Sequence, residues 1–293
     1  MASTRDIRRR IKSVKNTAQI TKAMQMVAAS KMRKAQQSAL AGRPYAALMN
    51  EVLAEVTCNA GDFSHPLTEK REGKKRGLII ISTDKGLCGA LNSNLTREAA
   101  KRDKDNTVFI CAGRKAAQFI ARTKRNLAAE FTYKDAPLFS EARAISKFAR
   151  DMFTRQEVDG VDILFTNFIS TLSQRPEVLP FLPVGEIKGV TAGVHGYAQP
   201  EKLMKGANEF LFEPSADHVL GELLPHYLNF QVYQILLEAK ASEHSSRMVA
   251  MKNATDNAND LIGDYTLAYN TARQAAITQE LAEITGGAEA LNG

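Results

Sequence analysis

Cysteine is scarce in this 293-residue sequence, and no two cysteines form a CxxC pair. An odd number of thiols without such a pair is typical of a reducing compartment, so we expect Cys58, Cys88 and Cys111 to be free and structural. No apolar run approaches the length of about 18 residues that a transmembrane helix needs. The basic amino terminus is not followed by an apolar segment of about 7–15 residues, so the sequence also predicts no signal peptide.

Signatures of catalysis and metal binding are lacking as well. The sequence has neither a GxSxG nucleophile motif nor an HExxH zinc motif, and no histidine lies at metal-ligand spacing from a cysteine. We therefore predict no catalytic residue, no metal ion and no cofactor. The histidines are His65, His195, His218, His226 and His244.

Charge is abundant but unevenly placed. Residues 1–43 hold eleven Lys or Arg and a single acid, Asp6, whereas residues 213–293 hold eleven acids and four bases. The two ends therefore carry opposite net charge. This asymmetry favours electrostatic complementarity between the ends and with outside partners, although two independently solvated faces would have the same composition.

The last quarter of the chain, from about Ser215 to Ile284, has the pattern of one helix. Apolar or small residues recur in steps of three and four, Pro214 and Ser215 mark its start, and Pro225 should kink it. A helix of about 70 residues would extend roughly 105 Å and could not bury its stripe alone. The stripe comprises Leu220, Leu224, Tyr227, Leu228, Val232, Ile235, Leu236, Ala239, Ala254, Ala258, Leu261, Ile262, Tyr265, Ala268 and Ala272.

The first segment also reads as a helix, with Ser3 and Asp6 as a capping box at its start. Its stripe has two positions per heptad, the width of a two-stranded coiled-coil seam. Gly42 and Pro44 predict an irregularity, after which Tyr45–Val56 can continue the helix. The seam residues are Ile7, Ile11, Val14, Ala18, Thr21, Met24, Ala28, Met32, Ala35 and Ala39.

The middle of the chain alternates predicted strands and helices, which indicates a parallel sheet covered on both faces. We expect loops from Arg175 to Pro200 and a further strand at Glu209–Phe212. The other expected strands are Gly77–Ser82, Thr107–Cys111, Ala129–Tyr133 and Val161–Phe168. The expected helices are Ala90–Arg102, Arg114–Ala121 and Ser140–Phe153, the last with Ser140 as its cap.

The order of elements predicts an α/β protein in which a long antiparallel coiled coil of the N- and C-terminal helices carries an inserted Rossmann-like parallel-sheet domain. The predicted boundaries are 1–58 for the first helix, 59–75 for a linker, 76–213 for the α/β domain and 214–293 for the last helix. Because the second helix is longer, its tip should overhang by roughly 27 Å. The tip, Thr278–Ile284, would need a partner outside the chain.

One loop invites a chemical interpretation. Ser82–Ala90 follows the first strand, where α/β sheets usually bind phosphate, but it matches neither glycine-rich fingerprint. Lys85 and the amides near Gly86 and Gly89 could bind an anion, although a tight turn that supports a protein contact is the favoured reading. A packed Cys88 is likewise favoured over a reactive one. A nucleotide-dependent α/β enzyme stays open as an alternative, and so does a coiled-coil nucleic-acid binder, because the first helix is basic.

Four blocks carry a family resemblance. They are ITKAMQMVAASKM at residues 20–32, TDKGLCG at 83–89, RMVAMKNATDNA at 247–258 and ARQAAITQEL at 272–281. Together they closely resemble the gamma-subunit family of rotary ATP synthases, over essentially the whole chain. The resemblance implies a non-catalytic central rotor shaft that couples rotation of a membrane c-ring to conformational cycling of catalytic beta subunits, in proton-driven ATP synthesis or hydrolysis.

The resemblance also implies partners and contact residues. The coiled coil would lie inside a ring of alpha and beta subunits, with Lys22, Met24, Arg247, Arg273 and Gln274 as ring contacts. The segment Asp84, Lys85, Gly86, Leu87, Cys88 and Gly89 would form foot contacts on the side of epsilon and the c-ring; delta is a further implied partner. No nucleic-acid partner and no membrane span are implied.

The same resemblance implies a peripheral protein at the cytoplasmic face of a bacterial inner membrane. The regulatory cysteine insertion of the chloroplast form is missing, so we expect no thiol switch. The lack of a transit-like leader points to a bacterial protein.

Affinity purification from the native source separates the three candidate functions. If the chain is a rotor shaft, alpha and beta ATP synthase subunits should co-purify in threefold excess over it. Salt-sensitive DNA or RNA in the eluate would instead support the nucleic-acid binder, and a phosphate ligand bound at Asp84–Gly89 would support the enzyme.

Overall fold

The computed structural model describes residues 4–42, 44–46, 48–49, 52–53, 65–184, 213 and 215–292. Its described part divides into two compact units, one formed by Met1–Val27 with Met248–Gly293 and the other by Ala28–Arg247. Cys58 and the strand expected at Glu209–Phe212 lie outside the described residues.

Two long helices bracket five strands and three shorter helices, and the described residues 44–46, 48–49 and 52–53 are helical as well. The helices are α1 (Thr4–Ala41), α2 (Leu91–Ala100), α3 (Arg114–Arg122), α4 (Phe139–Thr154) and α5 (Ala216–Asn292). The strands are β1 (Arg76–Ile81), β2 (Thr107–Ala112), β3 (Asn126–Phe131), β4 (Gly160–Phe168) and β5 (Gln174–Leu182). Ser215 caps α5, because its Oγ accepts a hydrogen bond from the His218 N–H at 3.3 Å.

The sheet of the second unit has the order β3-β2-β1-β4-β5. Its first four strands are parallel and β5 is antiparallel to β4. Side chains of β1 alternate between two cores: Ile79 and Ile81 face the one that includes α4 and α5, and Leu78 and Ile80 face the one that includes α2 and α3. This arrangement confirms the α/β domain with a parallel sheet covered on both faces.

Strand β5 corrects the expectation of loops from Arg175 onward. Pro176 and Pro180 made the segment read as a loop, yet both residues belong to an edge strand paired with β4. Proline lacks an N–H and is tolerated where that position faces away from the sheet. Among the described strands β5 pairs only with β4, so the strand forms although its prolines cannot donate to a second neighbour.

Two smaller boundaries also differ from expectation. β3 begins at Asn126 rather than Ala129, because its side chains alternate between exposed and half-buried and give a weak apolar signal. Ser140 lies inside α4 instead of capping it; the Glu141 carboxylate accepts the Leu138 N–H at 2.8 Å and closes the first turn. As expected, α1 ends beside Gly42. α5 remains helical through Pro225.

The unit formed by residues 1–27 and 248–293 is an antiparallel helix pair. All six predicted seam residues of its α1 segment, Ile7 to Met24, are buried or half-buried. The Thr21 and Thr255 hydroxyls lie 2.7 Å apart, and Arg8 donates to the Tyr269 hydroxyl. These two contacts fix the register, and the predicted coiled coil is confirmed.

The α5 side of this pair departs from the predicted stripe at two positions. Leu261 is 46% exposed and Ala268 is also exposed, whereas Met251 and Thr255 are buried and Tyr269 is half-buried. A half-buried position near the end of the stripe is Tyr269, one residue later than the predicted Ala268. The seam of α5 is therefore more polar than the sequence pattern indicated.

The unpaired part of α5 begins earlier in the chain than expected. Continuing the register of Arg8 with Tyr269 places Thr4 opposite about residue 273. From Arg273 to Ala288 every side chain is exposed. The lone helix therefore starts several residues before the predicted Thr278.

A chain that ends after Thr278 should unfold with nearly the same free energy as the full chain, within about 0.5 kcal/mol, because the removed side chains up to Ala288 are exposed. A chain that ends after Asp260 should lose at least about 2 kcal/mol, at roughly 1 kcal/mol for each half-buried side chain removed. Urea denaturation followed by circular dichroism measures both. Equal losses in the two truncations would contradict the assigned end of the helix pair.

Candidate functional site

The loop after β1 is the best-defined predicted site, and it lies at the carboxyl edge of the parallel strands. Asp84 Oδ1 accepts the Arg114 N–H at 3.0 Å, and Ser82 Oγ accepts the Ala116 N–H at 2.9 Å. The Thr83 carbonyl takes the Lys115 N–H at 3.1 Å. These three N–H groups open α3, so the loop after β1 caps the amino terminus of the helix that follows β2.

The loop itself is a tight turn. Thr83 Oγ1 donates to the Lys85 carbonyl at 2.7 Å and accepts from Asn92 Nδ2 at 2.8 Å. Leu87 and Gly89 both have left-handed backbone conformations, with φ of 61° and 57°. The Leu87 side chain is 62% exposed. The structure thus supports the turn reading of this segment.

Cys88 is a packed thiol, as predicted. Its side chain is buried, and Asn92 Nδ2 donates to its sulfur at 3.2 Å. Burial raises the pKa of the Cys88 thiol; Glu243 raises this pKa further, and Arg247 lowers it. Burial also raises the pKa of Cys111 to about 12. Neither thiol is therefore activated as a nucleophile.

The α5 segment Glu238–Arg247 lies against this edge of the sheet and binds it through polar side chains. Each contact joins a side chain of the helix to a backbone group of β4, of the turn after β4, or of the loop after β1. The contacts are Phe168 N–H to Glu238 (3.3 Å), Ser242 to Thr166 O (2.9 Å), Ser245 to Thr171 O (2.9 Å), Ser246 to Cys88 O (2.7 Å) and Arg247 to Gly86 O (3.2 Å). This segment is the polar interruption in the α5 stripe.

A chain of buried charges runs through the same segment. Glu243 accepts from Lys240 Nζ at 3.0 Å and from Arg247 Nη2 at 2.8 Å. Lys240 is only 2% exposed; its ammonium lies 4.5 Å from the centre of the Tyr133 ring and 3.8 Å from Asp135. Paired and hydrogen-bonded charges of this kind hold side chains in one geometry.

Two groups in the segment have strongly shifted pKa values. Burial raises the pKa of Glu238 to about 8, and the nearby Glu177 adds to the effect. Burial lowers the pKa of His244 to about 4, against the attraction of Glu243 and Asp135. At neutral pH the segment therefore holds a protonated carboxyl and a neutral imidazole.

The structure distributes the predicted contact residues over both units. In the helix pair, Lys22, Arg273 and Gln274 are exposed and Met24 is half-buried. Arg247, which is predicted as a ring contact, binds the loop that is predicted as a foot contact. Sequence reasoning missed Lys240 and Glu243, although the run of polar residues that interrupts the α5 stripe marks their position.

Among the described residues, no group of three or more His, Cys, Asp or Glu side chains is arranged to hold a metal ion. None of the described helices is apolar enough over a sufficient length to cross a membrane. A cleft of about 400 Å³ at the amino edge of the sheet includes Arg76 and Arg102, both paired with Asp162.

Comparisons with known proteins agree with the geometry. A family model described as ATP synthase matches residues 3–291. The ATP synthase gamma chain of Opitutus terrae is 50% identical over 287 residues, 97% of each chain. That of Desulforamulus reducens is 45% identical over 99% of this chain and 100% of its own.

Solved structures are similar as well. A chain of the Tetrahymena thermophila mitochondrial ATP synthase central stalk and c-ring is 28% identical, with a TM-score of 0.57 over 80% of this chain and 99% of that one. A chain of the Euglena gracilis mitochondrial ATP synthase is 19% identical, with a TM-score of 0.67 over 98% of this chain and 94% of that one. At this level of identity the similarity is evidence for the fold and not for the function.

Replacing Glu238 with Gln should stabilise the protein more at pH 8 than at pH 5. The folded pKa of about 8 exceeds the unfolded value of 4.5, so folding takes up a proton in this window. The stability contributed by the protonated form is complete below the unfolded pKa and is lost as pH rises to the folded one, by at most about 1.4 kcal/mol per pH unit. Glutamine keeps the acceptor for Phe168 and does not titrate.

Urea denaturation at pH 5, 6, 7 and 8 measures the difference between variant and wild type. Glu222→Gln, at an exposed position of the same helix, is the matched control and should leave the free energy of unfolding unchanged within about 0.5 kcal/mol. A pH-independent difference for Glu238→Gln would contradict the assignment.

Proposed function

The chain belongs to the ATP synthase gamma chain family, and from this premise we propose that it is the central rotor shaft of a proton-translocating ATP synthase. Rotation of a membrane c-ring would turn the shaft, and the shaft would drive the conformational cycle of catalytic beta subunits during ATP synthesis or hydrolysis. The chain is a subunit of that complex and is not its catalytic subunit.

The helix pair carries the proposal. Two antiparallel helices with a buried seam resist bending. A shaft that transmits torque needs this stiffness. From Arg273 to Ala288 a single exposed helix continues for about 24 Å, at roughly 1.5 Å per residue. Its exposed Ile277, Leu281 and Ile284 would be covered by the surrounding ring of alpha and beta subunits.

We propose ring contacts at Lys22, Met24, Arg247, Arg273 and Gln274. Four of these lie in the helix pair, and three of those four are exposed. Contacts that differ with the angle of the shaft would stabilise different beta-subunit conformations in turn. Small outward side chains such as Ala23 offer little apolar area, so no single angle would be held tightly.

We propose foot contacts at Asp84, Lys85, Gly86, Leu87, Cys88 and Gly89, towards the epsilon subunit and the c-ring. The exposed Leu87 and Lys85 would take the larger share, because Cys88 is buried. A further contact with delta, and a peripheral position at the cytoplasmic face of a bacterial inner membrane, complete the proposal.

We also propose the functional division 1–58 and 214–293 for the coiled-coil helices, 59–75 for a linker and 76–213 for the α/β domain. The start of β1 at Arg76 and of α5 at Ala216 supports these boundaries. A nucleotide-dependent enzyme is disfavoured, because the loop after β1 is a tight turn bound to α5 and its sequence matches neither glycine-rich phosphate motif.

A single-molecule rotation experiment tests the proposal. The chain is assembled with alpha and beta subunits, the ring is immobilised, and a bead is attached through Leu172→Cys, a position 81% exposed while Cys88 and Cys111 are buried. ATP should drive the bead in one direction. ATP hydrolysis without rotation would overturn the proposal.

The double variant Arg273→Ala with Gln274→Ala should slow ATP turnover in this complex about tenfold. It removes a charge-assisted contact of about 1.5–3 kcal/mol with the ring. Because both side chains are exposed, the free energy of unfolding of the chain should not change. Lys252→Ala, an exposed cation of the same helix, is the matched control and should retain turnover.

A further inference from the structure

We propose that Glu243 is a positioning residue that holds Arg247 over the Asp84–Gly89 loop and thereby fixes the loop to α5. Once fixed, the loop turns with the helix as one body. The inference deepens the rotor proposal and rests on it, because a rigid joint between helix and loop transmits rotation only if the helix rotates.

The two carboxylate oxygens of Glu243 each bind a different cation of the same helix. Oε1 accepts from Arg247 Nη2 at 2.8 Å, and Oε2 accepts from Lys240 Nζ at 3.0 Å. The Glu243 side chain is 4% exposed. A desolvated carboxylate with both oxygens occupied has one geometry available, so it can orient what it binds.

The guanidinium of Arg247 passes this orientation to the loop. The same Nη2 that binds Glu243 lies 3.2 Å from the Gly86 carbonyl and 3.5 Å from that of Lys85. The neighbouring Ser246 donates to the Cys88 carbonyl at 2.7 Å. Two consecutive residues of α5 therefore bind three carbonyls of one loop.

Lys240 keeps the buried charges balanced without touching the loop. Its ammonium also faces Asp135 and the Tyr133 ring, and Asp135 in turn binds Lys31 of α1. Because these groups hold Lys240 in place, Lys240 can position Glu243 without help from the loop. Glu243 then positions Arg247, and Arg247 holds the loop.

Cys88 reports whether the loop is fixed. Its thiol is buried beneath the loop backbone that Ser246 and Arg247 hold, so release of the loop should expose it to a maleimide. The full-length chain is labelled, and modified Cys88 is quantified by peptide mass mapping, which separates it from Cys58 and Cys111.

Glu243→Gln and Arg247→Gln should each increase the labelling rate of Cys88 at least about tenfold, the change that about 1.4 kcal/mol of opening free energy produces. Glu238→Gln is the matched control: it replaces another buried acidic side chain of the same helix, one that accepts from the Phe168 N–H and does not touch the loop. Its labelling rate should equal that of the wild type.

In Arg247→Gln, the change in the pKa of Cys88 and the change in its exposure have opposite effects on the labelling rate. Burial raises the pKa of Cys88, Arg247 lowers it and Glu243 raises it. Arg247→Gln removes the group that favours the reactive thiolate, so faster labelling there can come only from exposure. The double variant should label no faster than Arg247→Gln, because Glu243 acts through Arg247; additive rates would overturn the proposal.

Wild-type labelling in Glu243→Gln would also overturn it. If circular dichroism shows that Glu243→Gln does not fold, Glu243→Asp carries the test: it keeps the charge but shortens its reach, and a labelling rate equal to the wild type would count against the proposal. Rotation of the wild-type complex is measured separately. Failure of the joint and failure of the rotor function are therefore distinct results.

Discussion

The seam between α1 and α5 is the constraint on which the rest of this chain depends. An isolated helix that exposes an apolar stripe to water is unstable. The stripe on α5 is long, so the helix needs a partner that covers it. Pairing with α1 buries it as far as residue 272, and the register set by Thr21 with Thr255 decides where that cover stops. The length of bare helix beyond is a direct result of this register.

Within the second unit, α5 changes from apolar to polar contacts where it reaches the carboxyl edge of the sheet. Residues such as Leu224 and Leu236 belong to the main core. The residues that bind single backbone groups are Glu238, Ser242, Ser245, Ser246 and Arg247. Apolar packing is non-directional and permits sliding, but hydrogen bonds to carbonyls have defined partners and angles. A joint under shear is better made from the second kind of contact.

The sequence predicted the features that depend on periodicity. Both long helices, the four parallel strands and the overhang follow from apolar spacing, and the turn at Asp84–Gly89 follows from its glycines. It could not predict β5, because Pro176 and Pro180 mimic a loop and only the position of the strand at the sheet edge makes them tolerable. Nor could it identify Glu243 as a partner of Arg247, since a polar run on a helix more often faces solvent than a neighbouring backbone.

The prolines of β5 also affect whether a strand of a neighbouring protein can pair with this sheet. Among the described strands β5 pairs with β4 alone, and Pro176 and Pro180 offer no N–H group to a strand adding on its other side. A strand added there by a neighbouring protein would hinder a shaft that turns inside a complex. The two prolines that hide β5 in the sequence therefore also make that side of it a poor template for pairing.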